Sequence, residues 1–466
     1  MLFSSVSFLF MFLPIVLLGY FFLSAKYRNY WLLLASIFFY AWGEPTYVLI
    51  MLGSVLINYT GARLVAAYRS HGKLILSASI AADLGILFYF KYFNFVVDNI
   101  NQLVEAKIDF ITVVMPIGIS FYTFQAISYL VDVYRGEVEV QKNLFKVALY
   151  ITLFPQLIAG PIVKYHDVAE QISERQENFP DFIYGLKRFI IGLSKKMLLA
   201  NPMGAVADNV FSLPVEQMNC LTSWVGAVCY TLQIFFDFSG YSDMAIGLGR
   251  MFGFKFLENF NYPYISKSIT EFWRRWHISL STWFKEYLYI PLGGNRVSKF
   301  RNYINLFIVF FATGFWHGAA WNFIFWGLWH GIFIVFEKIT GWHKNDGGPF
   351  LSFIHHFYTL LIVVIGWVMF RADTMTYAGE YIKNMFGQVN GSMQIYPLRY
   401  YFDSYEMITM LIALLVSTPL FSSMLNDKYT SAKTHIMINL WILTLFILSA
   451  ISVVGSTYNP FIYFRF

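Results

Sequence analysis

The chain has 466 residues, of which 58% are hydrophobic and only 13% are charged, and its mean hydropathy is +0.54. A soluble protein usually carries about 25% charged residues, so this composition excludes a water-soluble globular chain. The net charge is only +6, and we expect membrane lipid rather than nucleic acid among its partners.

Apolar segments occur along the whole chain, and about 20 apolar residues are needed to cross the hydrocarbon of a bilayer. Residues 5–23 lack a charge, a basic start and a small-residue cleavage pattern, so we expect a retained first span rather than a signal peptide. The later candidates are 31–56 (a hairpin or a long tilted pair), 74–93, 110–131, 144–163, 189–199, 222–238, 303–316, 319–336, 350–370, 407–421 and 436–454. Several are short or contain Gly and Pro and are candidates for re-entrant segments. The pattern predicts an all-α polytopic membrane protein with about 11 to 13 membrane helices and re-entrant segments in one domain, 1–466.

The basic residues are concentrated between Arg250 and Arg301, where nine Lys and Arg accompany three acids. This local excess equals the net charge of the protein, which indicates a cytoplasmic face. Two interpretations stay open: these residues set topology and contact anionic lipid, or they attract a phosphate-rich donor such as a coenzyme A thioester. The candidates for donor binding here are Arg274, Arg275 and Lys285.

Residues 271–290 have the spacing of an amphipathic helix. Its apolar face would carry Trp273, His277, Leu280, Ser281 and Phe284. Glu271 is placed to pair with Arg275 one turn later. A single histidine on an apolar face is more often a core residue than a functional one, so both interpretations of His277 stay open here.

The charge-free segment 311–336 contains His317 and His330. An ionisable side chain within a membrane segment is a functional hypothesis by default. On an unbroken helix these two would lie about 220° apart, so the expected partner of His317 is His277 from another segment. A break at Gly314 or Gly318 would weaken that argument.

A neutral imidazole suits a proton transfer at membrane depth. It can take the proton of an acceptor hydroxyl as that oxygen attacks a thioester carbonyl, while a second polar group orients the carbonyl or stabilises its developing charge. Ser281 and Asn322 are additional candidates. His277 and His317 form no short ligand motif and have no Cys/Asp cluster beside them, so we predict no metal site.

Several blocks of the sequence together resemble the membrane-bound O-acyltransferase family. The blocks are FSSVSFLFMFLP (3–14), MPIGISFYTFQAISYLVDVYRG (115–136), LFPQLIAGPIVKY (153–165), FFDFSGYSDMAIGLGRMFGF (235–254), NYPYISKSITEFWRRWHISLSTWFKEYLYIPLGG (261–294), GFWHGAAWNFIFWGLWHG (314–331) and NPFIYFRF (459–466). The resemblance implies a helical membrane core around a tunnel or funnel, with its catalytic part at about 110–340. It places His317 at the family's invariant histidine, as general base, and His277 at the second polar position as its partner. His330 matches a further histidine of the bacterial branch.

The blocks are most similar to the branch of the alginate O-acetyltransferase membrane subunit and its peptidoglycan and cellulose relatives. The resemblance implies a multi-pass protein of the bacterial cytoplasmic (inner) membrane that takes an acetyl group from acetyl-CoA and has no bound cofactor. It also implies transfer across the membrane to a secreted or membrane-anchored SGNH-hydrolase-like partner that modifies a polysaccharide. Gln156 and Gly160 fall in a matching block and are donor-site candidates, whereas Asp237 and Asp243 are interpreted as structural polar contacts.

Two alternatives remain. One is D-alanyl transfer in teichoic acid modification, which shares the WHG block, although length and the two chain ends favour O-acetylation. The other is a transporter without covalent chemistry, in which histidines relay protons. Paired histidine segments at the family spacing argue against that class.

Overall fold

The computed structural model describes residues 1–104, 108–342, 348–388, 397–420 and 432–462, with only the backbone for 432 and 433. All regular secondary structure within these ranges is helical, which confirms the predicted all-α architecture. The chain divides into two compact units, one of Met1–Phe189 and Met244–Leu257 and one of Ile190–Asp243 and Glu258–Phe466. The prediction of a single functional domain over 1–466 stays a prediction.

The first unit contains most of the N-terminal helices. They are α1 (Leu13–Phe22), α2 (Ala25–Ala41), α3 (Val48–Ala67), α4 (Gly72–Val104), α5 (Ile119–Arg135), α6 (Leu144–Thr152), α7 (Phe154–Leu157), α8 (Tyr165–Glu174) and most of α9 (Phe179–Ser194). The second unit contains α10 (Asn201–Phe211), most of α11 (Cys220–Met251), α12 (Ile269–Arg275), α13 (Ile278–Phe284), α14 (Lys299–His317), α15 (Trp321–Thr340), α16 (Gly348–Arg371), α17 (Met375–Met385), α18 (Ser404–Val416) and α19 (Ala432–Gly455). Two boundaries between the units fall inside α9 and α11, and the third lies in the loop between Leu257 and Glu258.

Within the described ranges, five helical segments are long and apolar enough to cross a membrane. They are Val48–Ala67, Arg69–Val104, Trp321–Thr340, Gly348–Arg371 and Thr434–Gly455. Two shorter apolar helices, Phe8–Phe22 and Ser404–Val416, accompany them. The chain is therefore a multi-pass membrane protein, while the predicted tunnel or funnel stays a prediction.

Two predicted segments of the first unit have different outcomes. The helix pair predicted within 31–56 is confirmed, because α2 and α3 are separate helices joined at 42–47. The single span predicted at 144–163 is wrong, because α6 ends at Thr152 and residues 161–164 are not helical. Pro155 lacks the N–H that a continuing helix would need, and Gly160 lies in a turn so tight that a Cβ there would be 2.6 Å from Gln156 Cα.

Helix α5 of the first unit is buried over most of its length. It begins only after Gly118, whose φ of +77° is the left-handed conformation that glycine adopts without strain. The span predicted at 110–131 is therefore helical only from Ile119 onward. Every residue from 119 to 130 is buried, so α5 is surrounded by protein on all sides.

In the second unit, α14 and α15 pack closely through glycines. A Cβ on Gly314 would be 2.4 Å from the carbonyl oxygen of Phe323, and a Cβ on Gly327 would be 2.3 Å from that of Phe310. Small residues allow this kind of backbone approach between membrane helices, where van der Waals contact replaces hydrophobic driving force. This contact sets the separation of the two helices that carry His317 and His330.

The acids of α11 within the second unit form structural polar contacts, as predicted for Asp237 and Asp243. Asp237 forms a 2.6 Å ion pair with Lys196, and both side chains are almost completely buried. Its second oxygen accepts a 2.8 Å hydrogen bond from the backbone N–H of Ile462, which fixes the C-terminal segment. Asp243 pairs with Lys195 at 2.7 Å.

Candidate active site

The helix predicted over 271–290 is broken at His277, so that prediction is wrong. α12 ends at Arg275, and α13 begins at Ile278. His277 has a φ of +44°, a left-handed conformation that is uncommon for a residue with a Cβ. Asn259 holds the break, because its backbone carbonyl accepts a 2.9 Å hydrogen bond from the N–H of Ile278. A tertiary contact thus overrides the helical periodicity of this segment.

The side chain of Asn259 determines the tautomer of His277. Asn259 Oδ1 accepts hydrogen bonds from the backbone N–H and the hydroxyl of Ser279, at 3.1 and 2.9 Å. A backbone N–H can only donate, so the facing atom of Asn259 must be its oxygen. His277 Nδ1, 3.1 Å from the same oxygen, must then carry the proton. The free lone pair of this imidazole is therefore on Nε2.

His277 is completely buried, with its ring 4.6 Å from that of Phe238. Its Nε2 has no hydrogen-bond partner among the described residues. Burial lowers the pKa of His277 to about 3, because the charged form is the one that desolvation penalises. The ring is therefore neutral near pH 7 and can accept a hydrogen bond at Nε2.

His317 is the last residue of α14 and is 7% exposed. Its ring lies 5.0 Å from Trp316 and 5.0 Å from Trp326 in edge-on contacts, measured between ring centroids. The ring of His277 lies 6.1 Å from that same Trp316. The structure thus brings the two histidines that we expected to be partners against one indole.

His330 lies in the middle of α15 and joins the same cluster through Trp326, at 5.3 Å between ring centroids. The unbroken helix assumed for His317 and His330 is wrong, because α14 ends at His317 and α15 begins at Trp321. Neither ring nitrogen of His330 has a hydrogen-bond partner among the described residues. We call His277, Trp316, His317, Trp326 and His330 the histidine–tryptophan cluster.

A cavity of about 170 Å³ lies beside this cluster. Trp273 forms one wall of the cavity and also packs edge-on against His330 at 5.3 Å. Two of the predicted site residues, Ser281 and Lys285, line it. The remaining lining residues are Leu280, Phe284, Tyr289, Leu306, Val309, Phe310 and Thr313. The cavity is therefore largely apolar, with a few polar groups at its wall.

The other predicted residues of the second unit have separate places. Arg275 pairs with Glu271 at 2.9 Å, which confirms that predicted pair. Arg274 is exposed. Asn322 is buried and donates a 2.9 Å hydrogen bond to the carbonyl of Ala372, which fixes the start of α15.

Gln156 and Gly160 belong to the first unit. Gln156 is 1% exposed, and its Nε2 donates a 2.6 Å hydrogen bond to the carbonyl of Tyr150. This bond links α7 to α6, and Gly160 lies in the turn that follows α7. Their predicted part in donor binding stays a prediction.

Two polar residues of the site were missed by sequence reasoning. One is Asn259, which stands in a loop where no spacing rule links it to His277. The other is Glu337 on α15, which accepts hydrogen bonds from the backbone N–H of Thr270 (2.9 Å), its hydroxyl (2.7 Å) and the N–H of Ile269 (2.5 Å). This carboxylate caps the N-terminus of α12, where a negative charge is favoured. An acid within an apolar span was the available signal.

One group of the described residues has the ligand types of a metal site, namely Asp132, Glu137 and His166 in the first unit. His166 Nδ1 lies 3.0 Å from the buried Asp132 carboxylate. That hydrogen bond raises the pKa of His166, which favours an ion pair at this position. The prediction of no metal site stays a prediction.

Comparison with known proteins places these features in one family. The profile of the membrane-bound O-acyltransferase family matches residues 137–345. The chain is 41% identical to the probable alginate O-acetylase AlgI of Pseudomonas putida, over 100% of both chains. It is 33% identical to the peptidoglycan O-acetyltransferase of Helicobacter pylori, over 100% of this chain and 98% of that protein. It is 32% identical to the teichoic acid D-alanyltransferase of Bacillus subtilis, over 49% of this chain and 60% of that protein. The chain belongs to the membrane-bound O-acyltransferase family and is a membrane-embedded O-acyltransferase.

Proposed function

We propose that this chain is the membrane component of a polysaccharide O-acetylation system in the bacterial cytoplasmic membrane. It takes an acetyl group from acetyl-CoA on the cytoplasmic side and passes it across the membrane to an SGNH-hydrolase-like partner, which modifies a polysaccharide. The similarity to the P. putida relative over the whole chain supports O-acetylation. The observation that carries the proposal is the buried histidine–tryptophan cluster, which holds three imidazoles in one aromatic environment.

In the proposed reaction His317 is the general base. It accepts the proton of an acceptor hydroxyl as the oxygen bonds to the thioester carbonyl carbon. The carbon–sulfur bond then breaks, and the departing thiolate takes the proton. His317 lies at the C-terminal end of α14, where the helix carbonyls favour the positive charge that its ring gains.

His277 is the partner of this base. In its Nδ1–H tautomer the ring accepts at Nε2, so it can orient the acceptor hydroxyl or the His317 ring but cannot donate to an oxyanion. Its strongly lowered pKa makes it a poor general base near neutral pH, because an efficient base titrates near the working pH. The two histidines therefore have different roles, and the charge-bearing role belongs to His317.

The cavity behind Trp273 receives the acyl end of the donor in this proposal. A volume of about 170 Å³ and a mostly apolar lining suit a short acyl thioester. Lys285 at its wall and the exposed Arg274 carry the positive charge that would attract the donor's phosphates. The donor itself supplies all the activation needed, so no bound cofactor is expected.

The test is transfer from labelled acetyl-CoA in proteoliposomes that contain this chain and candidate acceptors, read by mass spectrometry. We expect His317→Ala to abolish transfer and His277→Ala to lower it by about 10²-fold, the loss typical of a misplaced reacting group. His71→Ala, at an exposed position of the first unit, is the matched control and should transfer normally. Full transfer by His317→Ala would refute the assignment.

D-alanyl transfer is the second candidate. The related D-alanyltransferase aligns with only 49% of this chain, whereas the P. putida and H. pylori relatives align with all of it. A labelled D-alanyl thioester in the same proteoliposomes distinguishes the two donors. Proton flux without transfer of either label would instead support the transporter.

A further inference from the structure

A second buried polar site lies in the first unit, on the membrane helices α3 and α4. Asp83 is 1% exposed and stands in the apolar segment Arg69–Val104, one of the candidate spans. Asn58 and Ser54 of α3 are also buried, at 0% and 2% exposure. An ionisable side chain in such a position needs a partner that compensates its charge or a proton that removes it.

Only one of the two oxygens of Asp83 has donors. Its Oδ1 accepts hydrogen bonds from Asn58 Nδ2 at 3.0 Å and from the Ser54 hydroxyl at 3.1 Å. Its Oδ2 is buried and has no hydrogen-bond donor among the described residues. The same holds for Oδ1 of Asn58.

The orientation of the Asn58 amide is fixed by the helix. Its Nδ2 donates a 2.9 Å hydrogen bond to the backbone carbonyl of Ser54, and a carbonyl can only accept. The other amide atom is therefore an oxygen. Among the described residues, Asp83 and Asn58 thus each have one buried acceptor atom without a donor. The amide of Asn58 already donates to the carboxyl group of Asp83.

We infer that Asp83 and Asn58 form a proton-binding site, with the proton on Asp83 Oδ2 and donated to Asn58 Oδ1. A carboxylic acid and a primary amide placed side by side form two hydrogen bonds, N–H to O and O–H to O. The first is present at 3.0 Å, and one proton completes the second. The neutral acid satisfies both orphan acceptors and removes a charge from the membrane span.

The charged and titratable groups around this site agree with a neutral acid. On α5, Tyr122 interacts electrostatically with Asp83, and this interaction opposes loss of the Tyr122 proton, so the group is neutral near pH 7. On α4 itself, Lys91 donates to the Ser120 hydroxyl at 3.2 Å. On α3, Arg63 is directed to the Tyr59 hydroxyl at 3.1 Å.

Further charged groups belong to α5 and to the short turn before α4. On α5, Asp132 pairs with His166, and Arg135 lies 3.8 Å from Glu137. In the turn, Arg69 donates to the carbonyls of Val133 and Tyr134. Each of these cations thus has a partner other than Asp83.

The test is infrared spectroscopy of the full-length protein in nanodiscs near neutral pH, in the C=O stretching region of protonated carboxyl groups. We expect a band in the wild type that disappears in Asp83→Asn and persists in Asp98→Asn, an exposed aspartate of the same helix. Asp83→Asn should fold and melt close to the wild type, because its amide can donate to Asn58 Oδ1 in place of the acid proton. An unchanged band in Asp83→Asn would overturn the site.

Two further measurements test the proton-binding site independently of that variant. Wild-type protein with ¹³C-labelled aspartate should shift the band, which assigns it to an aspartic acid even if the variant does not fold; a band that does not shift refutes the proton. Thermal unfolding in sodium chloride and in choline chloride tests a metal cation instead. Stabilisation by sodium that is lost in Asp83→Asn would show that a cation, rather than a proton, joins the two oxygens.

Discussion

Replacing Asn259 by Ala tests how the geometry of His277 is set. The change removes one oxygen that accepts three hydrogen bonds, from His277 Nδ1 and from the N–H and hydroxyl of Ser279. A buried donor left without an acceptor costs about 1–3 kcal/mol. Losing the bond that fixes the His277 tautomer should raise the barrier by about 1.4 kcal/mol, which is about tenfold in rate.

The assay compares kcat, KM and thermal unfolding for three variants. Asn259→Asp keeps an oxygen at the same place, so it should retain most of the activity that Asn259→Ala loses. Asn261→Ala is the matched control, because that exposed residue contributes its backbone to Arg275 rather than its side chain to His277. We expect the loss to appear in kcat with little change in KM, since the effect acts on orientation rather than on donor binding.

Two outcomes would contradict the tautomer argument. One is full kcat in Asn259→Ala despite normal folding. The other is a loss in Asn259→Asp as large as in Asn259→Ala, because that would mean that the amide nitrogen, and not the oxygen, matters to His277.

Three further predictions concern polar groups with assigned partners. Glu337→Gln should lower the melting temperature by about 1–2 °C, because one anionic cap of α12 is lost, a change of about 1 kcal/mol in a chain of this length. Asp237→Asn should destabilise the protein by about 3–5 kcal/mol, because it leaves Lys196 charged and buried. The hydrogen bond to Asp132 raises the pKa of His166, so protonated His166 stabilises the folded protein. The wild type should therefore be more stable than His166→Gln, and this difference should be complete below about pH 6.5. The difference should vanish as the pH rises through the raised pKa.

The two acid variants have matched controls measured by the same thermal unfolding. Glu380→Gln changes an exposed glutamate and should leave the melting temperature unaltered. Asp243→Asn breaks a pair whose lysine is 23% exposed, so it should cost less than Asp237→Asn. Equal losses in the two aspartate variants, or a His166→Gln difference that grows with pH, would contradict the reasoning.

Features that depend on composition and local sequence pattern could be predicted well from the sequence. Charge-free segments of sufficient length predicted α15 and α16, and His317 was identified because an imidazole is unusual in such a segment. The pairing of Glu271 with Arg275 followed from helical spacing alone, since both residues lie within α12. Such features depend only on residues that are close together in the sequence.

Features set by distant contacts were not predictable. The periodicity of 271–290 fits one helix, yet hydrogen bonds that Asn259 accepts hold His277 in a left-handed conformation and divide this segment into α12 and α13. Likewise, the angle of about 220° expected between His317 and His330 assumes one unbroken helix, whereas α14 ends at His317. In both cases the error came from extending a local period across a residue whose backbone is fixed by another part of the chain.

The site depends on α12 being held at both ends. α12 has only seven residues, and an isolated helix shorter than about 12 residues is marginal in water. Glu337 caps its N-terminus, and at its other end Asn261 donates its backbone N–H to the carbonyl of Arg275, two residues before His277. α12 therefore connects α15, which carries His330, to the loop that orients His277.

A double-mutant cycle tests whether the two ends of α12 act together. If α12 transmits position from Glu337 to His277, the combined loss in kcat for Glu337→Gln and Asn259→Ala should differ from the sum of the single losses by at least about 0.5 kcal/mol. The expected sign is a combined loss smaller than additive, because either change alone already releases the helix. Strict additivity, with both single variants folded, would mean that Glu337 only caps α12 and that Asn259 alone positions the imidazole.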